Sequence, residues 1–205
     1  MLTHHEPTII RRGAKHGTNE IFMNEIYGGD SVRVACPLFQ TEGGGSIPTS
    51  PLQFHIERMN LVIAIRLNEA WHSRLPKIGN GMNCEAYGAV FDNRYYAIAL
   101  WSSPVARLLN NRGMWELRRM AISHDAPKNT GSRMLSVMAS IIRKEYPSIK
   151  ILISYQDTDV HTGTIYKAAG WTATARNKEG SWNRPNRYRP AAQSTSPKIR
   201  WEKSL

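Results

Sequence analysis

Apolar and polar positions change their spacing several times along this chain, and the changes predict an alternation of helices and strands. Residues 54–75 carry apolar side chains at helical spacing up to Pro76, which predicts a core helix. Two apolar runs, residues 85–91 and 95–101, flank the polar residues 92–94. Polar turn-forming residues between two apolar runs predict a β-hairpin.

The second half of the chain continues the alternation. Residues 115–123 predict a strand, residues 130–146 a helix, and residues 151–156 a second strand. A crossover of this kind predicts that the two strands are parallel neighbours or close to it. A short helix is expected over residues 162–169, ending at Gly170. The order of elements predicts an α/β (α+β) fold with a mixed central sheet flanked by helices.

Length and composition favour a single domain with appendages. The chain has 205 residues, 41% of them hydrophobic, which is enough for one well-buried core. We divide it into residues 1–53, strands and loops that precede or pack on the core, residues 54–172, the core itself, and residues 173–205, a basic segment that completes the sheet.

Cysteine usage and hydropathy indicate the compartment. Cys36 and Cys84 are the only cysteines, so neither a disulfide framework nor a cysteine zinc site is expected. The N-terminus carries no apolar segment of the signal-peptide type, and no run approaches the ~18 apolar residues that a membrane span requires. We expect a soluble protein of the cytoplasm without a membrane partner.

The charge balance favours a polyanionic partner, with nucleic acid the leading candidate. Lys and Arg outnumber Asp and Glu by 27 to 16, which gives a net charge of +11. The basic end of the chain also carries aromatic side chains, which can stack on bases while cations meet phosphates. The candidate nucleic-acid-binding residues are Arg176, Lys178, Trp182, Arg184, Arg187 and Arg189. An equally weighted alternative is a solvated tail with a final strand over residues 198–203.

A candidate anion site precedes the long helix. The turn consists of Lys128, Asn129, Thr130, Gly131, Ser132 and Arg133. Backbone N–H groups at a helix N-terminus, with two nearby cations, can hold a phosphate or pyrophosphate. The alternative is an ordinary N-cap, in which the side chain of Asn129 or Thr130 satisfies the first-turn amides.

Carboxylates and imidazoles raise the possibility of a divalent metal such as iron, manganese or zinc. The candidate ligands are His55, Asp157, Asp159 and His161. The alternative is that Asp157 caps the following helix and that His161 lies in its first turn.

Three further side chains are candidates for acid–base chemistry. Tyr166 on the short helix could donate a proton or position a substrate, and Tyr155 at the strand end invites the same interpretation. Glu116 lies on a strand with one polar face and could act as a base. A packed aromatic with a satisfied hydroxyl and a surface ion pair are the alternatives.

The order of these elements over residues 55–172 resembles the GCN5-related N-acetyltransferase (GNAT) fold. The resemblance implies that the turn at residues 128–133 wraps the pyrophosphate of coenzyme A and that Tyr166 acts as a general acid. The family turn usually ends in Gly-x-Gly or Gly-x-Ala, whereas Ser132 and Arg133 follow Gly131 here.

Over residues 115–171 the segments LRRMAISHDAPKNTGSRML and ISYQDTDVHTGTIYKAAGW more closely resemble the Mom family of Mu-like phages, an offshoot of the GNAT fold. The resemblance implies conversion of adenine in double-stranded DNA to N6-carbamoylmethyladenine in the host cytoplasm, which shields phage DNA from restriction. For this reaction we expect donor contacts from Ser132 and Arg133, a role for Asp157 in orienting or deprotonating the amine, and proton donation by Tyr166.

The implied product constrains the donor, because its new bond joins the adenine amine to a methylene carbon that bears a carboxamide. Acyl transfer from acetyl-coenzyme A would attach a different carbon. Two hypotheses follow: metal-assisted activation of an acetyl-type donor, or a glycine-derived donor, free or carried on tRNA. A conventional acetyl-coenzyme A N-acetyltransferase and a non-catalytic DNA-binding protein are the competing functions, and a homodimer is the oligomer considered.

Overall fold

A computed structural model describes residues 47–72, 74–75, 78, 84–106, 108–109, 112–177 and 196–205. In this part of the chain seven strands form one sheet, in the spatial order β1-β2-β3-β4-β5-β7-β6. The strands are β1 (His55–Arg58), β2 (Glu85–Phe91), β3 (Arg94–Ser102), β4 (Met114–Ile122), β5 (Ile151–Asp157), β6 (Thr172–Asn177) and β7 (Lys198–Ser204). The α-helices are α1 (Leu61–Trp71), α2 (Thr130–Glu145) and α3 (Thr164–Ala168). The predicted mixed α/β sheet is therefore confirmed.

The predicted hairpin is present as β2 and β3, which pair in antiparallel orientation. Asp92 and Asn93 form its turn with φ angles of +48° and +58°. Positive φ at both central residues matches the right-handed twist of the flanking strands, and Asn and Asp tolerate that conformation better than other side chains do.

The prediction of one helix over residues 54–75 is wrong at both ends. Its first part is the strand β1, in which Ile56 is buried while His55 is exposed, and His55 lies opposite Val90 of β2. The helix α1 begins after Asn60, whose side chain accepts a hydrogen bond from the Val62 amide at 2.8 Å. It ends at Trp71. Buried residues alternate along β1, but over so few residues the two-residue period of a strand cannot be distinguished from the apolar face of a helix.

The parallel pair that the sequence predicts is β4 and β5, and it separates early. The two strands pair only over residues 114–116 and 151–153. Beyond these, β4 continues to Ile122 and β5 to Asp157, along stretches that are fully described, but the pairing between them does not continue. The strands diverge, and a gap opens in the middle of the sheet at their carboxyl ends.

On the edge opposite β4, β5 pairs with strand β7. β7 is antiparallel to β5 along the whole length of β5 and also pairs with β6. Its Trp201 is only 4% exposed and joins Trp101, Trp171 and Tyr166 in the hydrophobic core. The predicted final strand is thus part of the core sheet. None of the described helices is long and apolar enough to cross a membrane.

Candidate active site

A cavity of about 660 Å³ occupies the gap between the diverging strands. β4 contributes residues 117, 118 and 120–122 to its wall, and β5 contributes Ser154, Tyr155 and Asp157. Tyr166 of α3 lines it, together with His72 and other residues after α1. Its volume falls within the range of small-molecule sites, roughly 300–1,000 Å³, and the diverging carboxyl ends of parallel strands are where ligands of α/β sheets bind.

Tyr166 reaches this cavity from a largely buried position, with 7% of its surface exposed. Its ring lies nearly parallel to that of Trp201, at a centroid distance of 5.3 Å and an angle of 14°, and edge-on to Trp171 at 5.8 Å. Burial raises the pKa of the phenol, and its hydrogen bond to Ser154 opposes the shift. The hydroxyl is thus kept protonated at the wall of the cavity.

Ser154 is the hydrogen-bond partner of that phenol. The Ser154 Oγ and the Tyr166 hydroxyl lie 2.8 Å apart, and Ser154 is 2% exposed. Either oxygen can donate. When the serine hydroxyl donates, the Tyr166 proton is free to point into the cavity, and the same serine hydrogen bond would stabilise a phenolate. The pair therefore suits a tyrosine that gives up a proton.

Asp157 ends β5 at the same wall. Its Oδ2 lies 3.8 Å from the Arg74 guanidinium, and its Oδ1 accepts the Asp159 amide at 3.1 Å. The interpretation of Asp157 as the cap of the next helix is wrong, because the N-cap of α3 is Gly163. Asp157 instead holds the turn that leaves β5, with its carboxylate at the cavity and close to a cation.

Tyr155 and Glu116 occupy different environments. Tyr155 is half-buried and lines the cavity, and burial, with a smaller contribution from Glu116, raises its pKa. Glu116 lies where β4 and β5 part, and its carboxylate accepts the Val105 amide at 3.1 Å and lies 3.5 Å from Arg118 Nε. Burial raises the pKa of Glu116. Of the two, Tyr155 is the residue in contact with the cavity.

The four candidate metal ligands do not come together. His55 is on β1, at the edge of the sheet, and β2, β3 and β4 separate it from Asp157 on β5. Asp159 and His161 are both exposed in the turn after β5. In the described residues no group of three or more His, Cys, Asp or Glu side chains is placed to hold a metal ion. The predicted four-ligand site is therefore wrong.

The turn before α2 lacks the side-chain cap that the alternative interpretation required. Asn129 is the N-cap residue, with a φ of +68°, but its side chain makes no capping hydrogen bond. The hydroxyls of Thr130 and Ser132 donate backwards, to the carbonyls of Pro127 at 2.7 Å and Asn129 at 3.0 Å. The amides of Thr130 and Arg133 donate to the carbonyls of Pro127 and Asn129, whereas those of Gly131 and Ser132 lack a side-chain cap and can meet an external acceptor.

Two more observations make this turn suitable for an anion. A Cβ on Gly131 would lie 3.2 Å from Ile122 Cδ1, so the glycine lets the start of α2 approach β4 closely. Arg133 Nε is buried and lacks a hydrogen-bond partner among the described residues. A helix N-terminus with an uncommitted guanidinium nitrogen fits a phosphate or pyrophosphate group.

Several polar cavity residues have no prediction from the sequence, among them His72, Arg74 and Arg118. Burial, followed by the nearby Arg119 and His161, lowers the pKa of His72. The Nδ1 of His72 accepts the amides of Arg74 at 3.3 Å and Leu75 at 3.2 Å, which requires that nitrogen to be unprotonated. His72 and Arg74 carry no local signal in the sequence, because the segment after α1 meets β5 only in the folded chain.

Arg118 reaches the cavity through an irregularity in β4. Arg119 lies opposite Leu100 of β3 and Leu117 lies opposite Trp101, so Arg118 is an extra residue in the ladder. Such bulges redirect side chains next to functional sites. The cavity wall thus includes the cations Arg74, Arg118 and Lys198 around the carboxylate of Asp157.

Of the candidate nucleic-acid-binding residues, Arg176 lies exposed on β6. The remaining candidates, Lys178, Trp182, Arg184, Arg187 and Arg189, lie outside the described residues.

Comparison with known proteins relates the chain to one family. The sequence profile of the Mom protein family matches residues 82–203. The methylcarbamoylase mom of Escherichia phage Mu is 32% identical over 80 residues, which are 36% of this chain and 33% of that protein. The match thus spans about a third of the length of the phage Mu protein.

The fold has many solved counterparts. The ribosomal-protein-alanine N-acetyltransferase of Brucella melitensis has a TM-score of 0.52 and 11% identity, covering 74% of this chain and 99% of that one. An acetyltransferase of the GNAT family from Streptococcus pneumoniae has a TM-score of 0.51, 11% identity and the same coverage. A Bacillus subtilis acetyltransferase in complex with CoA has a TM-score of 0.50, again with 11% identity and this coverage. At such identities the likeness establishes the GNAT fold alone.

Proposed function

The chain belongs to the Mom protein family, and we propose that it is a transferase that modifies adenine in double-stranded DNA to N6-carbamoylmethyladenine. This modification would protect phage DNA from the restriction enzymes of the host. The observation that carries the proposal is the cavity between the diverging strands β4 and β5, which gathers Tyr155, Asp157 and Tyr166 at one wall. Family membership supports the reaction class, and the GNAT fold supports a transferase.

The size and lining of the cavity suit a pocket for one nucleobase. Adenine inside a duplex presents its amine in the major groove, within a stack, and an enzyme that acts on it flips the nucleotide out at a cost of a few kcal/mol. A cavity of about 660 Å³ can accommodate one base and the end of a donor. The half-buried ring of Tyr155 is the side chain that we propose stacks on the flipped base.

Proton movement is assigned to two groups of this wall. Asp157 orients the adenine amine and accepts its proton, with the Arg74 guanidinium 3.8 Å from its carboxylate. Tyr166 supplies a proton to the departing group, with Ser154 as the hydrogen-bond donor to the phenol oxygen. A tyrosine that burial keeps protonated is suited to this role as a general acid.

For the donor site we propose the turn at residues 128–133, which would hold the phosphates of coenzyme A or of another phosphate-bearing donor. The uncapped amides of α2, Lys128 and the buried Nε of Arg133 support this assignment. To give this product, the donor must present a methylene carbon that bears the departing group, because a coenzyme A thioester is activated at its acyl carbon and would yield an amide instead. A glycine-derived donor remains the competing source, because the methylene carbon of the product is the one that glycine already carries bonded to nitrogen.

DNA is the proposed macromolecular substrate. The net charge of +11 favours a polyanion, and the cavity presents Arg74, Arg118 and Lys198 to a phosphate backbone beside the flipped base. Contacts of this kind fix the register of the protein on the duplex without reading its sequence.

Mass spectrometry of nucleosides from plasmid DNA tests the proposal. Cells would express the wild-type chain, the Tyr166→Phe variant or the Asp157→Asn variant. We expect deoxyadenosine heavier by a carbamoylmethyl group with the wild-type chain, and a loss of about a hundredfold or more with either variant. Unmodified adenine despite folded wild-type protein would contradict the function. Full modification by both variants would contradict the residue roles. Labelled acetate or labelled glycine entering the product would identify the donor.

A further inference from the structure

Strand β7 contributes an aromatic ring to the surroundings of Tyr166. We call these surroundings the seat of Tyr166; they consist of Ser154, Gln156, Gly163 and Trp201, which contact Tyr166 or one another. Trp201 of β7 lies face to face with Tyr166, with 5.3 Å between the ring centroids and an angle of 14° between the planes. Trp201 is 4% exposed, so its indole has little freedom to tilt. The tyrosine is therefore fixed on its ring face by Trp201, and at its hydroxyl by Ser154.

The orientation of the indole depends on Gln156 of β5. Trp201 Nε1 donates to Gln156 Oε1 at 2.7 Å, and Gln156 Nε2 donates to the carbonyl of His161. Gln156 is 4% exposed. A buried carboxamide that uses both its oxygen and its nitrogen has one favourable orientation, because flipping it would place donor against donor and acceptor against acceptor. One side chain thus links the Trp201 ring to the turn that carries His161.

Gly163 packs against the side chains of both Gln156 and Trp201. It has a φ of +75°, and a Cβ at that position would lie 2.6 Å from Gln156 Oε1 and 2.7 Å from Trp201 Cζ2. Gly163 is also the N-cap of α3, the helix that carries Tyr166. The side chains of Gln156 and Trp201 therefore pack directly against the residue at which α3 begins.

We infer that Gln156 and Trp201 are positioning residues, which hold the Tyr166 phenol and the turn at residues 157–163 in the geometry required for proton donation. They act through other residues, since neither is among those lining the cavity. The inference rests on the proposed function, because Tyr166 is its proton donor. In physical terms, a misplacement of about 1 Å at a reacting group can lower a rate by about a hundredfold.

Substitutions at residue 156 test the inference. Gln156→Met keeps the volume and removes both hydrogen bonds; we expect kcat to fall roughly ten- to hundredfold while KM for DNA is unchanged. Gln156→Glu gives a sharper readout. Burial raises the pKa of the introduced carboxyl, and its protonated form can again accept from Trp201 and donate to His161. Its activity relative to wild type should therefore fall as pH rises, which a merely structural defect would not produce.

Trp201→Phe is the conservative control. It keeps an aromatic ring to face Tyr166 but removes the N–H donor together with the second ring of the indole, so we expect its kcat to fall below that of wild type while the hydrogen bond from Gln156 to His161 is retained. Hydrogen–deuterium exchange of residues 157–166 supplies a readout that does not need activity, and the exchange should accelerate there in Gln156→Met. Wild-type kcat in Gln156→Met, a pH profile of Gln156→Glu parallel to wild type, or unchanged exchange would overturn the inference. Absence of modified adenine with the wild-type protein would instead contradict the proposed function, and the exchange measurement would still decide the inference.

Discussion

The seat of Tyr166 and the turn before α2 belong to the same candidate site, but they are built in opposite ways. In the seat, buried polar groups bind one another: Ser154 with Tyr166, and Gln156 with Trp201. In the turn, Lys128 and Asn129 are exposed and the first-turn amides lack a side-chain cap. The seat is suited to orienting one reacting group, whereas the turn is suited to receiving an anion.

This difference separates two kinds of functional defect. A substitution in the seat disturbs paired, desolvated groups, so it should affect folding and the rate of the chemical step together. A substitution of Lys128 or Arg133 in the turn removes a charge, so it should affect donor affinity and leave the fold intact. Variants of the seat and of the turn therefore test whether stability and the chemical step can be changed separately from donor affinity.

The largest expected effect is that of Gly163→Ala. Positive φ and the close approach to Gln156 Oε1 and Trp201 Cζ2 act together, and we expect a loss of about 2–4 kcal/mol in the free energy of unfolding. Adenine modification should be lost as well. Urea denaturation measures the stability and nucleoside mass spectrometry measures the activity.

Gly170→Ala is the matched control for that substitution. Gly170 has a similar φ of +69°, but its added Cβ would meet only Lys203 Nζ, at 3.2 Å, and that atom ends a flexible side chain. We expect only the cost of the positive φ, which should lower the free energy of unfolding by about 1–2 kcal/mol. Equal destabilisation by the two substitutions would contradict the tight packing of the seat.

A smaller effect is expected from the double substitution Lys128→Gln/Arg133→Gln. Loss of both cations should weaken coenzyme A binding about five- to tenfold, without a change in melting temperature, and the difference should shrink at high salt. Isothermal titration calorimetry with coenzyme A measures it directly.

Arg143→Gln/Lys144→Gln serves as the control for the turn. These residues are exposed at the other end of α2, and their substitution removes the same charge from the same helix. It should leave coenzyme A affinity unchanged. If both double variants weaken binding equally, the turn acts through net charge alone, and the anion site at residues 128–133 is not supported.

Local patterns in the sequence predicted the strands, the long helix and the mixed sheet. The hairpin follows from turn-forming residues at Asp92 and Asn93, and the parallel pair follows from the crossover through α2. The first helix was misjudged because alternating burial around Ile56 resembles one side of a helix over so few residues. Short-range periodicity is informative only when an element is long enough to complete several repeats.

The site was predictable where its residues lie in one segment. Asp157, Tyr155 and Tyr166 could be proposed because they follow β5 closely in sequence, and the structure places all three at the cavity. Gln156 and Trp201 meet across a separation of 45 residues, and His72 reaches the cavity from α1. Such contacts depend on strand order, which puts β7 beside β5. The metal prediction failed for the same reason, since strand order separates His55 from Asp157.

The most direct test of the central claim is to find where a target adenine binds. A duplex with a photoreactive adenine analogue at one position would be crosslinked to the wild-type protein, and the attached peptides would be mapped by mass spectrometry. We expect attachment to the peptides that contain residues 117–122 or 154–166, which contribute most of the residues lining the cavity between β4 and β5. Attachment confined to peptides outside the cavity wall would contradict the assignment of this cavity as the adenine site.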